Sequence, residues 1–230
     1  MQNLPTAEVY IQFFTHTPWK KTHDFIERTV SENVPRDGSV LDLMCGPGYL
    51  GQVLTRDYPK INYVGVDIDR GFLKYARKMC PNGEFHLKDV RQWKTSRKFD
   101  VVICSGGTHH LPYKDQEVLI ARMAKLVKPA GMVMIADPHI ASYSNEVERK
   151  RACVELGHYY LLETIRLGGS NKIIKATSDI VGNDVLGIEC KIPVSLRRLI
   201  VKKYFRTVGE FRTWPVCGYD YGDYCFVARK

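Results

Sequence analysis

The chain has 230 residues, of which 44% are hydrophobic and 26% charged, and 34 Lys and Arg against 25 Asp and Glu give a net charge of +9. That length supports one domain with a full core, and the composition excludes a disordered or low-complexity chain. No apolar run reaches the roughly 20 residues that span a bilayer, the N-terminus lacks the features of a signal peptide, and seven cysteines without a C-x-x-C pair read as reduced thiols, so a cytoplasmic protein is expected.

Residues 6 to 33 read as helical, broken at Pro18, with Phe13, Phe14 and Trp19 supplying apolar surface. An alternating pattern follows: strand 39–44, helix 49–57, strand 61–67, helix 70–79, strand 84–88, strand 99–105, helix 114–127 and strand 131–136. Apolar strands separated by helical patterns predict a parallel sheet buried on both faces. Residues 141 to 167 read as one long helix with Val147, Val154, His158, Leu161 and Ile165 along its apolar face. A mixed segment broken by Gly168, Gly169, Gly182 and Gly187 comes next. A basic helix then starts near Pro193, and the chain closes with strands at Thr207 to Trp214 and Tyr224 to Ala228 around a turn.

The most informative stretch is Val40-Leu-Asp-Leu-Met-Cys-Gly-Pro-Gly48, followed by Tyr63-Val-Gly-Val-Asp67. A strand that runs into a glycine turn and a helix, and then a second strand that ends on an acid, form a nucleoside-binding layout. Gly46-Pro47-Gly48-Tyr49-Leu50-Gly51 is literally the G-x-G-x-x-G of dinucleotide enzymes. Pro47, however, removes an N–H that a pyrophosphate would use. Asp42, inside the first strand, needs a partner that a cofactor ammonium supplies and a pyrophosphate does not. Asp89, at the end of a third strand, can reach an adenine amino group. S-adenosylmethionine is therefore favoured over NAD.

On these residues, 39 to 137 resemble the core of class I S-adenosylmethionine-dependent methyltransferases: the Asp-x-x-x-Gly-x-Gly loop (Asp42, Gly46, Gly48), a ribose acid (Asp67) and an adenine-edge acid (Asp89). Ser105-Gly-Gly-Thr-His-His-Leu-Pro112 resembles the His-His-Leu segment of small-molecule members. Met44 departs from the usual glycine. The resemblance implies a Rossmann-like α/β fold, with a seven-stranded mostly parallel sheet and a C-terminal antiparallel hairpin. It divides the chain into an N-terminal helical lid (1–38), a cofactor core (39–138), a substrate-shaping helical insertion after strand five (139–192) and a last helix with the hairpin (193–230). It also implies that Asp42, Met44, Cys45, Gly46, Gly48, Asp67, Ile68, Asp89, Val90, Ser105 and Gly106 hold S-adenosyl-L-methionine.

Candidates for chemistry must follow strands four and five, where both ligands meet. His109 and His110 follow strand four, and an imidazole suits proton removal near neutral pH. Asp137 follows strand five and would orient the pair, with His110 the preferred general base. Tyr10, Tyr113, His139, Tyr143 and His158 are the candidates for lining a substrate pocket. Asp137 is the only acid near the His pair in the sequence pattern, too few oxygens for magnesium, so no metal is expected.

The expected function is methyl transfer to a small-molecule hydroxyl or amine by in-line displacement. One alternative is an RNA methyltransferase using the basic C-terminal region, which includes Lys191, Arg197, Arg198, Lys202, Lys203, Arg206 and Arg212. Against it, no Asn/Asp-Pro-Pro-Tyr motif follows strand four. A third reading is an S-adenosylmethionine-binding protein without catalysis. No membrane partner is expected, and the insertion beside the pocket offers a surface for a homodimer.

Overall fold

The computed structural model describes residues 5–215 and 218–230. Strands β1 (Ser39–Leu43), β2 (Asn62–Asp67), β3 (Glu84–Leu87), β4 (Phe99–Ser105), β5 (Val127–His139), β6 (Thr207–Trp214) and β7 (Gly222–Arg229) form one sheet in the order β3-β2-β1-β4-β5-β7-β6. The first five are parallel, while β7 runs antiparallel to both of its neighbours. Strand order reverses between β1 and β4, so a crevice opens there at the carboxyl ends of the strands, where ligands bind in such sheets.

The sheet is covered on both faces, as its apolar strands require. Leu41, Val102, Val133 and Phe226 pack against Leu119, Ile120 and Met123 of α5 (Tyr113–Leu126) and Ile200 and Val201 of α8 (Val194–Lys202). On the other face, Val40, Tyr63, Ile103 and Met134 meet Ile26 and Val30 of α2 (Trp19–Asn33) and Leu50 and Leu54 of α3 (Tyr49–Asp57). Helix α4 (Arg70–Met79) starts at Asp69, whose carboxylate accepts from the Phe72 N–H at 2.7 Å. This cap satisfies one of the helix's free donors.

A third apolar cluster joins α1 (Ala7–His16) to α6 (Glu146–Arg166), α7 (Asn171–Val185) and the β6–β7 end of the sheet, through Phe13, Leu156, Tyr160, Ile173 and Trp214. The N-terminal helices and the insertion thus meet above the crevice. The insertion departs from its sequence reading in three ways. Helix α6 begins at Glu146, because Asn145 caps it by accepting from the Glu148 N–H at 3.0 Å, while the Glu148 carboxylate accepts from the Ser144 N–H at 2.7 Å and from the Asn145 side-chain amide at 3.0 Å. The expected mixed segment is helix α7, and Gly182 lies inside it, where intrahelical bonds outweigh the propensity cost of about 1 kcal/mol.

The expected apolar face of α6 points outward: Val147, Val154 and Ile165 are more than half exposed, and His158 is exposed. The buried face is instead Ala152, Cys153, Leu156, Gly157, Tyr160 and Thr164. Gly157 explains the choice, since a Cβ there would lie 2.4 Å from the Val181 side chain. The missing side chain at Gly157 lets Val181 of α7 close on α6. The six cysteines among the described residues are all free thiols, and Cys217 lies outside them. No helix among these residues is long and apolar enough to cross a membrane.

Candidate active site

The loop after β1 turns through three left-handed residues: Met44 (φ 62°), Gly46 (φ 54°) and Gly48 (φ 83°). For Met44 this conformation costs on the order of 1 kcal/mol. It is held by the Met44 and Cys45 N–H groups, which both donate to the Val66 carbonyl at 2.8 and 3.1 Å. The two glycines do different work. A Cβ on Gly46 would meet nothing within 4 Å, because it faces the cavity, whereas one on Gly48 would lie 2.7 Å from the Ala76 Cβ. Gly48 therefore lets α4 approach the loop and does not line the cavity.

Three acids converge on this cavity from successive strands. Asp67 at the end of β2 accepts from the Gly46 N–H and the Asp69 N–H, both at 2.8 Å. Burial raises its pKa against those two bonds. Asp42 is buried in β1, where the Tyr63 hydroxyl donates to it at 2.6 Å. Burial pushes its pKa up to about 7 despite that bond. Asp89 is gripped by the Arg91 guanidinium, which holds its pKa below the usual range. Ser105 and Gly106 close the β4 side, and the Ser105 Oγ is buried without a hydrogen-bond partner.

The same cavity continues past the loop after β4, where a short 3-10 turn carries Thr108, His109 and His110. Asp137, fully buried in β5, accepts from His109 Nδ1 at 2.7 Å and from the Thr108 hydroxyl, and Arg197 lies 3.4 Å away. Burial alone would raise its pKa, but His109, Arg197 and Thr108 hold it at about 2. His110 is pushed down to about 3 by burial and by His109 beside it.

The insertion supplies the far wall. Lys191 donates to Asp184 at 2.5 Å and to Glu189 at 2.8 Å, all three being buried. Burial opposes the lysine's charge, yet the two carboxylates raise its pKa above the ordinary range. Glu189 in turn faces His109 Nε2 at 3.6 Å and His110 Nδ1 at 3.8 Å. This wall is tied to the His turn through the backbone: the Cys190 N–H donates to the His109 carbonyl at 2.7 Å, and the Gln116 amide bridges the Leu111 and Cys190 carbonyls.

Comparison with known proteins agrees with this geometry. Residues 40–131 match a family model described as a methyltransferase domain. A trans-aconitate 2-methyltransferase of Azoarcus is 30% identical over 113 residues, which is 48% of this chain and 44% of that relative. The chain thus spans at most about half the length of such relatives. Residues 40–131 are thus similar to methyltransferase domains, and the class I S-adenosylmethionine-dependent superfamily is the one these likenesses support.

Solved structures share the fold alone, as two examples show. A TehB-like S-adenosylmethionine-dependent methyltransferase of Corynebacterium glutamicum has a TM-score of 0.59 at 15% identity, covering 89% of this chain and 86% of that one. The PH0226 protein of Pyrococcus horikoshii has a TM-score of 0.61 at 18% identity, covering 92% and 90%.

The cavity offers what S-adenosylmethionine would need. A buried carboxylate with a pKa near neutral asks for a cation, and Asp42 would meet the ammonium of the amino-acid portion. Asp67 would take the ribose hydroxyls, as its position at the end of the second strand suits. Asp89 and Val90 lie where the base would sit, and Ile68, two-thirds exposed, would cover it from the rim. Gly46 provides the open cradle that a side chain would fill.

Of the five residues expected to line the substrate end, the structure brings only Tyr10 into the cavity. His139 is buried beneath it, with Nδ1 at 2.9 Å from the Ile192 carbonyl and its ring against Tyr224 and Phe226. Tyr113 is 45% exposed and Tyr143 half-buried, both outside the cavity, and His158 faces solvent on the outer side of α6. In their place stand Tyr160, Thr177, Asp184 and Lys191 from the insertion, and Trp19 and His23 from the lid. No spacing in the sequence links these to the His pair, because α7 reaches the site through its packing on α6 and α1.

Proposed function

We propose that the chain transfers a methyl group from S-adenosylmethionine to a hydroxyl or amine of a small molecule. The observation that carries this reading is a single cavity of about 560 Å³ shared by the three-acid cradle, the His turn and the insertion wall. That volume is in the range of small-ligand sites. The bound cofactor supplies an electrophilic methyl on a sulfonium; the residues here have to hold the acceptor in line, exclude water and take up a proton. Helices α1, α2, α6 and α7 close over the cavity and do the excluding.

The acceptor loses its proton at the His pair. Asp137, ionised, takes the His109 Nδ1–H and leaves the Nε2 lone pair on the Glu189 side. The low pKa of His110 makes it a weak base, so its lone pair suits accepting a hydrogen bond or holding a cation better than storing a proton at neutral pH.

The insertion wall also speaks to charge. Trans-aconitate, named for the relatives, is a tricarboxylate, and here it would meet Asp184, with Glu189 buried behind the wall and Lys191 already committed to both. A neutral or cationic acceptor suits this wall better. RNA is disfavoured because the basic C-terminal region is largely spent on internal contacts. Lys191 and Arg197 are buried, Arg198 pairs with Glu210 at 2.6 Å, and Lys203 with Glu117 at 3.0 Å.

The test is transfer of labelled methyl from S-adenosylmethionine in an extract, separated into small-molecule, RNA and protein fractions. Label in the small-molecule fraction supports the reading. Label confined to RNA or protein overturns it.

A further inference from the structure

His109, His110 and Glu189 come together without bonding to one another. Their ligand-capable atoms all lie within 4.8 Å of each other. His109 Nε2 lies 3.6 Å from Glu189 Oε2 and His110 Nδ1 lies 3.8 Å from Glu189 Oε1, both too long for hydrogen bonds. These separations are close to the roughly 3.4 Å expected between two ligand atoms that share a tetrahedral ion at about 2.0–2.1 Å. His110 Nδ1 is buried and has no hydrogen-bond partner, a lone pair that a packed core does not leave bare without cost.

We propose that His109, His110 and Glu189 bind a divalent transition-metal ion of the zinc type, whose remaining ligand position opens onto the cavity. The surrounding contacts are those a metal site needs. The Asp137 carboxylate on His109 Nδ1 makes a carboxylate–histidine–metal arrangement that fixes the ring and its tautomer. Lys191 holds Glu189 Oε2, the oxygen nearer His109, at 2.8 Å and leaves Oε1, toward His110, free to ligate. Asp184, Glu189 and Lys191 together carry a net charge of −1, and Asp137 is offset by Arg197, so a dication enters a site poised for it. Two imidazoles and one carboxylate favour zinc, cobalt or ferrous iron over magnesium.

This deepens the functional reading, since the three side chains stand at the acceptor end. It rests on that reading only for the claim that the open position receives the acceptor's heteroatom, whose pKa a bound ion would lower. With an ion bound the His109 Nε2 lone pair is a ligand, so the ion replaces the His pair's role by acidifying the acceptor, whose proton then leaves to solvent. Sequence reasoning dismissed a metal because it counted Asp137 as the ligand. The structure turns Asp137 to the back of His109 and brings in Glu189, 79 residues beyond His110.

The test uses the full, untagged chain stripped with a chelator and titrated with Co(II), followed by visible absorption and by metal analysis. One equivalent with the intense spectrum of a tetrahedral ion, displaced by Zn(II), is the expected result. Glu189→Gln and His110→Gln should abolish that spectrum. Asp137→Asn should weaken binding about 10- to 100-fold, and His158→Asn should leave it unchanged. Circular dichroism checks that each variant folds. Absence of the tetrahedral spectrum in the folded wild type, or its survival in both Glu189→Gln and His110→Gln, overturns the proposal. Because the readout is metal binding, it stands apart from methyl transfer: Co(II) binding without transfer would count against the functional reading and leave the metal site intact.

Discussion

Asp42 should make cofactor affinity pH-dependent in a way that its burial fixes. Its carboxyl is 2% exposed and its pKa is pushed up to about 7. The bound ammonium requires the ionised form, so binding below that pKa must expel a proton. With a pKa of about 7, roughly half of the sites are ionised at pH 7 and about a tenth at pH 6. Affinity for S-adenosylhomocysteine should therefore fall about fivefold over that unit, since the ligand's own α-amino group stays protonated there. Calorimetry in buffers of different ionisation enthalpy should show release of about half a proton at pH 7. Asp42→Asn should bind more weakly and lose the pH dependence. A wild-type affinity that is flat from pH 6 to 7, with no proton released, would refute the assignment of Asp42 as the ammonium's partner.

The two loop glycines should separate binding from folding. Gly46→Ala should cost about 1 kcal/mol of stability for its left-handed backbone yet abolish cofactor binding; Gly48→Ala, driven into Ala76, should lower the melting temperature more severely. Arg197→Met leaves the buried Asp137 without its guanidinium and should cost about 3–5 kcal/mol in urea unfolding. Arg198→Met, at a half-exposed pair with Glu210, should cost under about 1 kcal/mol. Asp223 is fully buried, accepts from the Tyr160 hydroxyl at 2.6 Å, and has a pKa raised to about 8 by burial. Its folded pKa exceeds the unfolded value, as does that of Asp42, so each lowers stability as pH rises toward its folded pKa. Buried His23, His110 and His139, pushed down to about 3, act oppositely below about pH 6.5, so the net decline of cofactor-free stability should fall between about pH 6.5 and 8. Asp223→Asn should flatten the upper part of that decline in melts recorded across the range.

The cofactor half of the molecule was legible because its chemistry is local. Asp42, Gly46, Asp67 and Asp89 sit at strand ends, and period and spacing alone bring strand ends of a parallel sheet to one edge. The His turn was legible for the same reason. The insertion was not. Apolar residues occur on two sides of α6, and only the room that Gly157 leaves for Val181 decides which side is buried. Glu189 and Lys191 follow α7 with no periodic signature, and their nearness to His109 depends on a backbone bond from Cys190 that tertiary packing alone creates. Aromatic and imidazole candidates chosen by type, such as Tyr113, Tyr143, His139 and His158, had no such constraint, and the fold sends them elsewhere.

The most direct test of the account is equilibrium binding of S-adenosylmethionine and of NAD to the purified chain, alongside Asp67→Asn. The account predicts one site for S-adenosylmethionine, none for NAD, and an affinity loss on the order of ten- to a hundredfold in the variant, the worth of hydrogen bonds to a charged group. Binding of NAD at this cavity, or failure of the folded chain to bind S-adenosylmethionine, would contradict it.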